Sequence, residues 1–172
     1  MLVHDLEQIP QFEPGDYPLI KKLIAEEVEM LNDVWPVDVN KMRQRLKETS
    51  VCYITKDNNA CASYHWLQVR GNHFIQQLGI HAQLPEKQAM IYHTRVAEHA
   101  KGKGINGYVL KHILRNLKSD GFQKVWIYTN QHNTANQKGL KACGFVEFGR
   151  FTSIEYYHDK FLGLTPFRFP TQ

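Results

Sequence analysis

Between residues 88 and 117 the hydrophobic pattern of the chain changes period across one glycine-rich loop. "QAMIYHTRVA" is a β-branched, apolar run that reads as a strand, and "EHAKGKG" interrupts it. Beyond the loop, Ile105, Val109, Ile113 and Leu117, with Leu110 and Leu114, recur at helical spacing as far as Ser119-Asp120-Gly121, where the glycine is the expected C-cap. A strand that turns at once into a helix leaves the first backbone N–H groups of that helix unpaired at the positive end of its dipole. Gly102 and Gly104 let a ligand approach this backbone, and Lys101 and Lys103 add positive charge. The loop therefore reads as a pyrophosphate site, against the plainer reading of a tight turn with solvated lysines.

Read literally, Gly102, Gly104 and Gly107 spell the dinucleotide fingerprint G-x-G-x-x-G. That fingerprint should open the first βαβ unit and be followed about 20 residues on by an acid for the ribose hydroxyls. Here the following strand ends in Tyr128-Thr129-Asn130, and antiparallel hairpins come before the loop. A Walker A loop is excluded because no G-x-x-x-x-G-K-[ST] occurs.

The remaining segments set the fold class. From Asp16 to Leu31 the spacing of Leu19, Ile20, Leu23, Ile24, Val28 and Leu31 predicts a helix, and Val39, Met42 and Leu46 predict a second, short one. "SVCYITKDNNACASYHWLQV" reads as a hairpin, His73 to Ala82 as one extended segment, and "KVWIYT" as a strand. Asn133 to Ala142 reads as a short helix ended by Cys143-Gly144, and "FVEFGRFTSIEYYH" as one or two final strands. The expected order is α-α-β-β-β-β-α-β-α-β-β, an α+β sandwich with a mixed, mostly antiparallel sheet flanked by helices, in a single domain over residues 1–172.

Bulk composition narrows the partners. A net charge of +4, with its lysines and arginines scattered, gives no basic stripe for nucleic acid but leaves an anionic small ligand open. No apolar run approaches the roughly 20 residues that span a bilayer, and residues 1–12 lack the basic start and apolar middle of a signal peptide. Cys52, Cys61 and Cys143 form no C-x-x-C pair, which suits a reducing, cytoplasmic compartment. The histidines, among them His65, His73, His81 and His132, show no metal-ligand spacing, so no metal is expected.

"VAEHAKGKGINGYVLKHIL" resembles the signature of the GNAT acetyltransferase superfamily: a strand, then [Q/R]-x-x-G-x-[G/A], then a helix. Lys101 stands at the Gln/Arg position, Gly104 at the motif glycine and Asn106 at the last small residue. Downstream, "NTANQKGLKACGFVEFGRF" resembles the family's N-x-x-A-x-x-x-Y-x-x-x-G-F, with Asn133, Gly144 and Phe145 in place, Asn136 for Ala and Leu140 for Tyr. The resemblance implies an acetyl-CoA-dependent N-acetyltransferase acting on a primary amine of a small molecule or peptide. The alternative is a GNAT-like module that holds acyl-CoA without catalysis. A homodimer is compatible with either.

By the same resemblance, the amides of Gly102, Lys103, Gly104, Ile105 and Asn106, next to Lys101, cradle the pyrophosphate. Thr94, Arg95 and Val96 pair with the pantetheine arm, and Asn133 touches the cofactor from across the cleft. Direct attack of an amine on a thioester needs an exit for the amine proton and a proton for the leaving thiolate. The family's usual donor is the tyrosine that is Leu140 here, so Tyr128 is the first substitute and Tyr92 the second. His93 is the candidate base, with Glu98 and His99 as alternatives. The acceptor pocket is expected to draw on Glu26, Glu27, Glu29, Asp33, Trp35, Trp66 and Tyr156-Tyr157, although Glu26 to Glu29 also reads as a solvated helix face.

Overall fold

The computed structural model describes residues 1–9, 18–57, 59–76 and 79–150. In chain order these form β1 (Leu2–Asp5), β2 (Ile20–Lys22), α1 (Val39–Lys47), β3 (Ser50–Asp57), β4 (Ala60–Gln68), β5 (Gly71–Ile75), β6 (Ile80–Leu84), β7 (Gln88–Val96), α2 (Ile105–Ser119), β8 (Lys124–Ile127), α3 (Thr134–Ala142) and β9 (Val146–Glu147), with short 3₁₀ turns between. Seven strands make one sheet in the order β2-β3-β4-β7-β8-β1-β9, and β5 and β6 form a separate ribbon. Every pairing in the main sheet is antiparallel except β7 with β8. The mixed α+β class with helices on a mostly antiparallel sheet is the one the sequence predicts.

Side-chain alternation splits the interior into two layers. Ala89 and Ile91 of β7 and Val125 and Ile127 of β8 face α2, whose Ile105, Val109, Leu110, Ile113, Leu114 and Leu117 are all buried, as its periodicity requires. Met90, Tyr92 and Trp126 face the other way, toward Met42 of α1, Val28 and Leu31, and Ile75 of the β5–β6 ribbon. The two glycine helix ends lie where expected, and the structure adds the N-caps. Asp38 caps α1 through Lys41 N–H at 3.0 Å, Asn133 caps α3 through Asn136 N–H at 3.1 Å, and Gly121 and Gly144 leave their helices at φ +81° and +90°.

Three segments differ from their sequence reading. The expected first helix is an edge strand, β2, followed by a 3₁₀ helix at Ala25–Asp33, and its first residues lie outside the described ones. Residues 20–22 instead pair with Tyr53–Thr55, leaving Leu19 and Ile24 exposed, while the three-residue turn aligns Val28 and Leu31 on one buried face. The stretch expected as one extended segment is the β5–β6 hairpin, reversed with the help of Gly79 at φ +63°. β1 has no counterpart in the expected order, yet it lies inside the sheet between β8 and β9. Of the expected final strands only β9 falls within the described residues; the rest of "GRFTSIEYYH" from residue 151 lies outside them, as do Tyr156 and Tyr157.

Candidate functional site

The parallel register of β7 and β8 stops at Ile91 with Ile127, whereas β7 continues to Val96. Two residues of β7, His93 and Thr94, stand opposite one residue of β4, because Tyr92 pairs with Trp66 and Arg95 with Tyr64. This is a β-bulge, and His93 sits in it at φ +46°, a backbone conformation that costs a non-glycine residue roughly 1–2 kcal/mol. The bulge turns β7 away from β8, so the strands splay and, among the described residues, the β8-facing backbone edge at Thr94, Arg95 and Val96 has no strand beside it. The cleft continues past the glycine loop to the N-terminus of α3, with a volume near 1820 Å³, larger than a compact metabolite needs.

The loop meets the requirement for an anion cradle. Gly102 and Gly104 have φ of +76° and +75°, and a Cβ on Gly102 would meet nothing within 4 Å. The first helical bond of α2 is Tyr108 N–H to Gly104 O at 3.1 Å, and among the described residues no backbone carbonyl accepts from the amides of residues 102 to 107. The buried side chain of Ile105 anchors the turn in the core. The two lysines behave differently from a simple electrostatic reading. Lys101 donates to Glu98 Oε2 at 2.6 Å, and Lys103 is exposed and does not line the cleft.

Two residues that depart from the family motifs turn out to be partners. Asn106 Oδ1 accepts from His65 Nε2 at 2.9 Å, Asn106 Nδ2 donates to Asn136 Oδ1 at 3.4 Å, and Asn136 Nδ2 donates to Thr129 Oγ1 at 2.9 Å. The chain links β4, α2, α3 and the segment just past β8, and its Asn106, Asn136 and Thr129 line the cleft. His65 is fully buried, and burial holds its pKa down to about 4, so it donates as a neutral imidazole. Asn133 lines the cleft, with its Oδ1 committed to capping α3.

At the splay itself lie Tyr92, His93 and Tyr128. The Tyr92 hydroxyl is 2.9 Å from Ser50 Oγ and buried, which raises its pKa. Tyr128 lines the cleft, half-buried, with its hydroxyl 3.4 Å from His73 Nε2; burial, then the neighbouring Tyr92, push its pKa up to about 12. His73 Nδ1 donates to Gln68 Oε1 at 3.2 Å, because the Gln68 amide nitrogen is itself engaged as a donor, so the Nε2 lone pair faces Tyr128. His93 Nδ1 receives Arg45 Nη1 at 2.8 Å, and its Nε2 lies 3.3 Å from Tyr64 Oη. Burial, with Arg45 and Arg95 nearby, holds His93 at about 4. Its basic lone pair is thus already occupied by a guanidinium.

Leu140 does not line the cleft. It is fully buried in the core layer beside Val109 and Phe145. Of the other named residues, Trp35 lines the cleft and stacks under Arg95, whose guanidinium carbon is 5.6 Å from the ring centroid, whereas Glu26, Glu27 and Glu29 lie outside the cleft. Glu27 instead pairs with Lys21 and Lys56, and Asp33 accepts from Cys61 N–H at 2.9 Å. Arg45, Ser50 and His73 were not legible as site residues. Arg45 reads in sequence as one more cation on the polar side of α1. No helix of the described residues is long and apolar enough to cross a membrane, and no group of three or more potential metal ligands occurs among them.

A sheet splayed by a bulge over a glycine turn and a capping helix defines the acetyltransferase fold class. Solved structures similar to the chain include a putative acetyltransferase from Agrobacterium tumefaciens str. C58, at 16% identity and TM-score 0.63 over 80% of this chain and 99% of that one. The ribosomal-protein-S18-alanine N-acetyltransferase from Escherichia coli is similar at 15% and 0.62, over 77% and 80%. An aminoglycoside N-acetyltransferase AAC(6')-Iy in complex with CoA is similar at 14% and 0.59, over 82% and 98%. No curated protein sequence matches the chain. The model of the acetyltransferase (GNAT) family matches residues 18–145, and the chain belongs to that family.

Proposed function

We propose that the protein is an acetyl-CoA-dependent N-acetyltransferase that acetylates a primary amine by direct attack. The observation that carries this reading is the coincidence, in one cleft, of unpaired amides from Gly102 to Gly107 with an open strand edge at Thr94, Arg95 and Val96. The amides and the α2 dipole would hold the pyrophosphate, the strand edge the pantetheine arm, and Asn133 the far side of the cofactor. The acyl-CoA supplies the thioester carbon that the amine attacks and the thiolate that leaves.

Tyr128, on the cleft wall where the strands part, is the assigned hydrogen-bond donor to that thiolate, its single hydroxyl proton turning from His73 Nε2 to the sulfur, and Tyr92 is the second candidate. His93 is too weak a base to remove the amine proton while Arg45 holds its lone pair. Its role here is to fix the bulge, and water at the cleft mouth takes the proton. The non-catalytic reading draws on Leu140, which leaves the cleft without the family's tyrosine; Tyr128 is the reason to prefer the enzyme.

Thermal melting with acetyl-CoA, CoA and NAD tests the cofactor, since a ligand bound only by the folded state raises Tm. A rise with both CoA forms and none with NAD is expected. Gly104→Val should weaken CoA binding at least tenfold by straining the left-handed turn, and unchanged affinity would refute the placement of the cradle. Free-thiol release across an amine panel then separates enzyme from module.

A further inference from the structure

Arg45 projects from the last turn of α1 into the acceptor end of the cleft, where it is half-buried. Its guanidinium carbon lies 5.5 Å from the Trp66 ring centroid and 5.6 Å from that of Tyr92, so two aromatic rings fix the plane of the group. Among the described residues only Nη1 has a partner, His93 Nδ1 at 2.8 Å and Met42 Sδ at 3.7 Å. Nε and Nη2 have no protein partner among the described residues and are not sealed from solvent. Arg45 forms no ion pair there, whereas Arg43, two residues earlier, is paired with Glu29 at 3.1 Å.

The free edge of this guanidinium is left to water, so an anion entering the cleft meets a preoriented, unpaired Nε and Nη2. No carboxylate pairs with it among the described residues: Arg95 is a second cation, the cleft's Glu98 is occupied by Lys101, and Glu48, near enough to act on Tyr92, accepts from Gln44 Nε2 at 3.2 Å. The Nε and Nη2 edge of an arginine matches the two oxygens of a carboxylate. Phe74, Ile75 and Trp35 give the same end of the cleft an apolar wall.

Resting on the N-acetyltransferase reading, we infer that the acceptor is an amino acid or similar amino carboxylate, whose carboxylate is bound by the free edge of Arg45. This assignment excludes polycationic amines, which would face Arg45 and Arg95 unpaired. It also eases the chemistry. A nearby guanidinium disfavours the ammonium form of the acceptor, so a neutral nucleophile is available without a strong base. In the reaction the acceptor nitrogen bonds to the thioester carbon, the carbon–sulfur bond breaks, the ammonium proton passes to water and the thiolate is reprotonated.

The test pairs each amino acid with its decarboxylated amine: phenylalanine with 2-phenylethylamine, tyrosine with tyramine, and spermidine as the polycation. Thiol release from acetyl-CoA and Tm shifts with CoA present are both read. The carboxylate-bearing member of a pair should be favoured about tenfold or more in kcat/KM, or in affinity where turnover is slow. Arg45→Met should abolish that preference, and Arg45→Lys should restore part of it, with CoA affinity unchanged in both as evidence of folding. Equal or better use of the decarboxylated amines, a response to neither member, or a preference that survives in Arg45→Met would overturn the inference. Failure of acetyl-CoA itself to bind would instead sink the enzyme reading on which it rests.

Discussion

Lowering the pH from neutrality toward 5 should destabilise this protein steeply, because three histidines are held neutral by the fold. His65, His73 and His93 each have a pKa lowered to about 4, first by burial and, for His73 and His93, next by Arg45. In the unfolded chain each returns to about 6.5. The folded values lie below the unfolded ones, so between about pH 6.5 and 4 the unfolded chain binds more protons, and stability falls as the pH falls. With three protons taken up on unfolding, the steepest slope is about 4 kcal/mol per pH unit, and the loss from neutrality to pH 5 is on the order of 5 kcal/mol. That is comparable with the roughly 5–15 kcal/mol stability of an ordinary domain. Urea unfolding followed by circular dichroism at pH 7.5, 6.5, 5.5 and 5.0 measures the slope, and the histidine Cε1 proton shifts show which rings stay neutral. His73→Gln should lower stability at pH 7.5 yet reduce the slope by about a third. A free energy of unfolding constant to about 1 kcal/mol from pH 7 to 5 would refute the argument.

Tyr128→Phe should lower kcat by roughly 10- to 100-fold with little change in CoA affinity, the worth of one hydrogen bond to a charged atom. With the phenol near 12 and a thiolate near 8.5, complete proton transfer is uphill by about 5 kcal/mol, so an unaltered rate in this variant would mean that water alone serves the leaving group. Asn106→Ala and Asn136→Ala should each weaken CoA binding, and in the double variant the losses should fall short of additive by about 1 kcal/mol; strict additivity in calorimetric titration would dissolve the amide chain. Leu140→Tyr restores the family's residue at a fully buried site, so it should cost about 1–3 kcal/mol by overpacking and leave the rate of thiol release no higher. A faster enzyme would show that position 140 reaches the thioester.

The separation between what could and could not be read in advance follows the range of the forces involved. The glycine loop, the helix behind it and the helix ends at Gly121 and Gly144 all depend on neighbours within a few residues, and each appears where its pattern puts it. The first helix failed because apolar residues at three- and four-residue spacing serve equally well in an edge strand plus a 3₁₀ turn. Pairing with Tyr53–Thr55, more than 30 residues away, decided between them. β1 has four residues and no flanking punctuation; its place depends on a vacant edge of β8 that the local pattern cannot reveal.

By itself the sequence determined the βα junction, its glycine turn and the family to which both belong, because these rest on local geometry and on two spaced motifs. Tertiary structure decided the end of the cleft where β7 and β8 splay. The bulge at His93 exists only in the register of β7 against β4, and the contacts of Arg45 with His93 and of His73 with Tyr128 join residues 48 and 55 positions apart. Burial, which no single position records, then held His93, the residue that the sequence offered as base, neutral with its Nδ1 lone pair on Arg45.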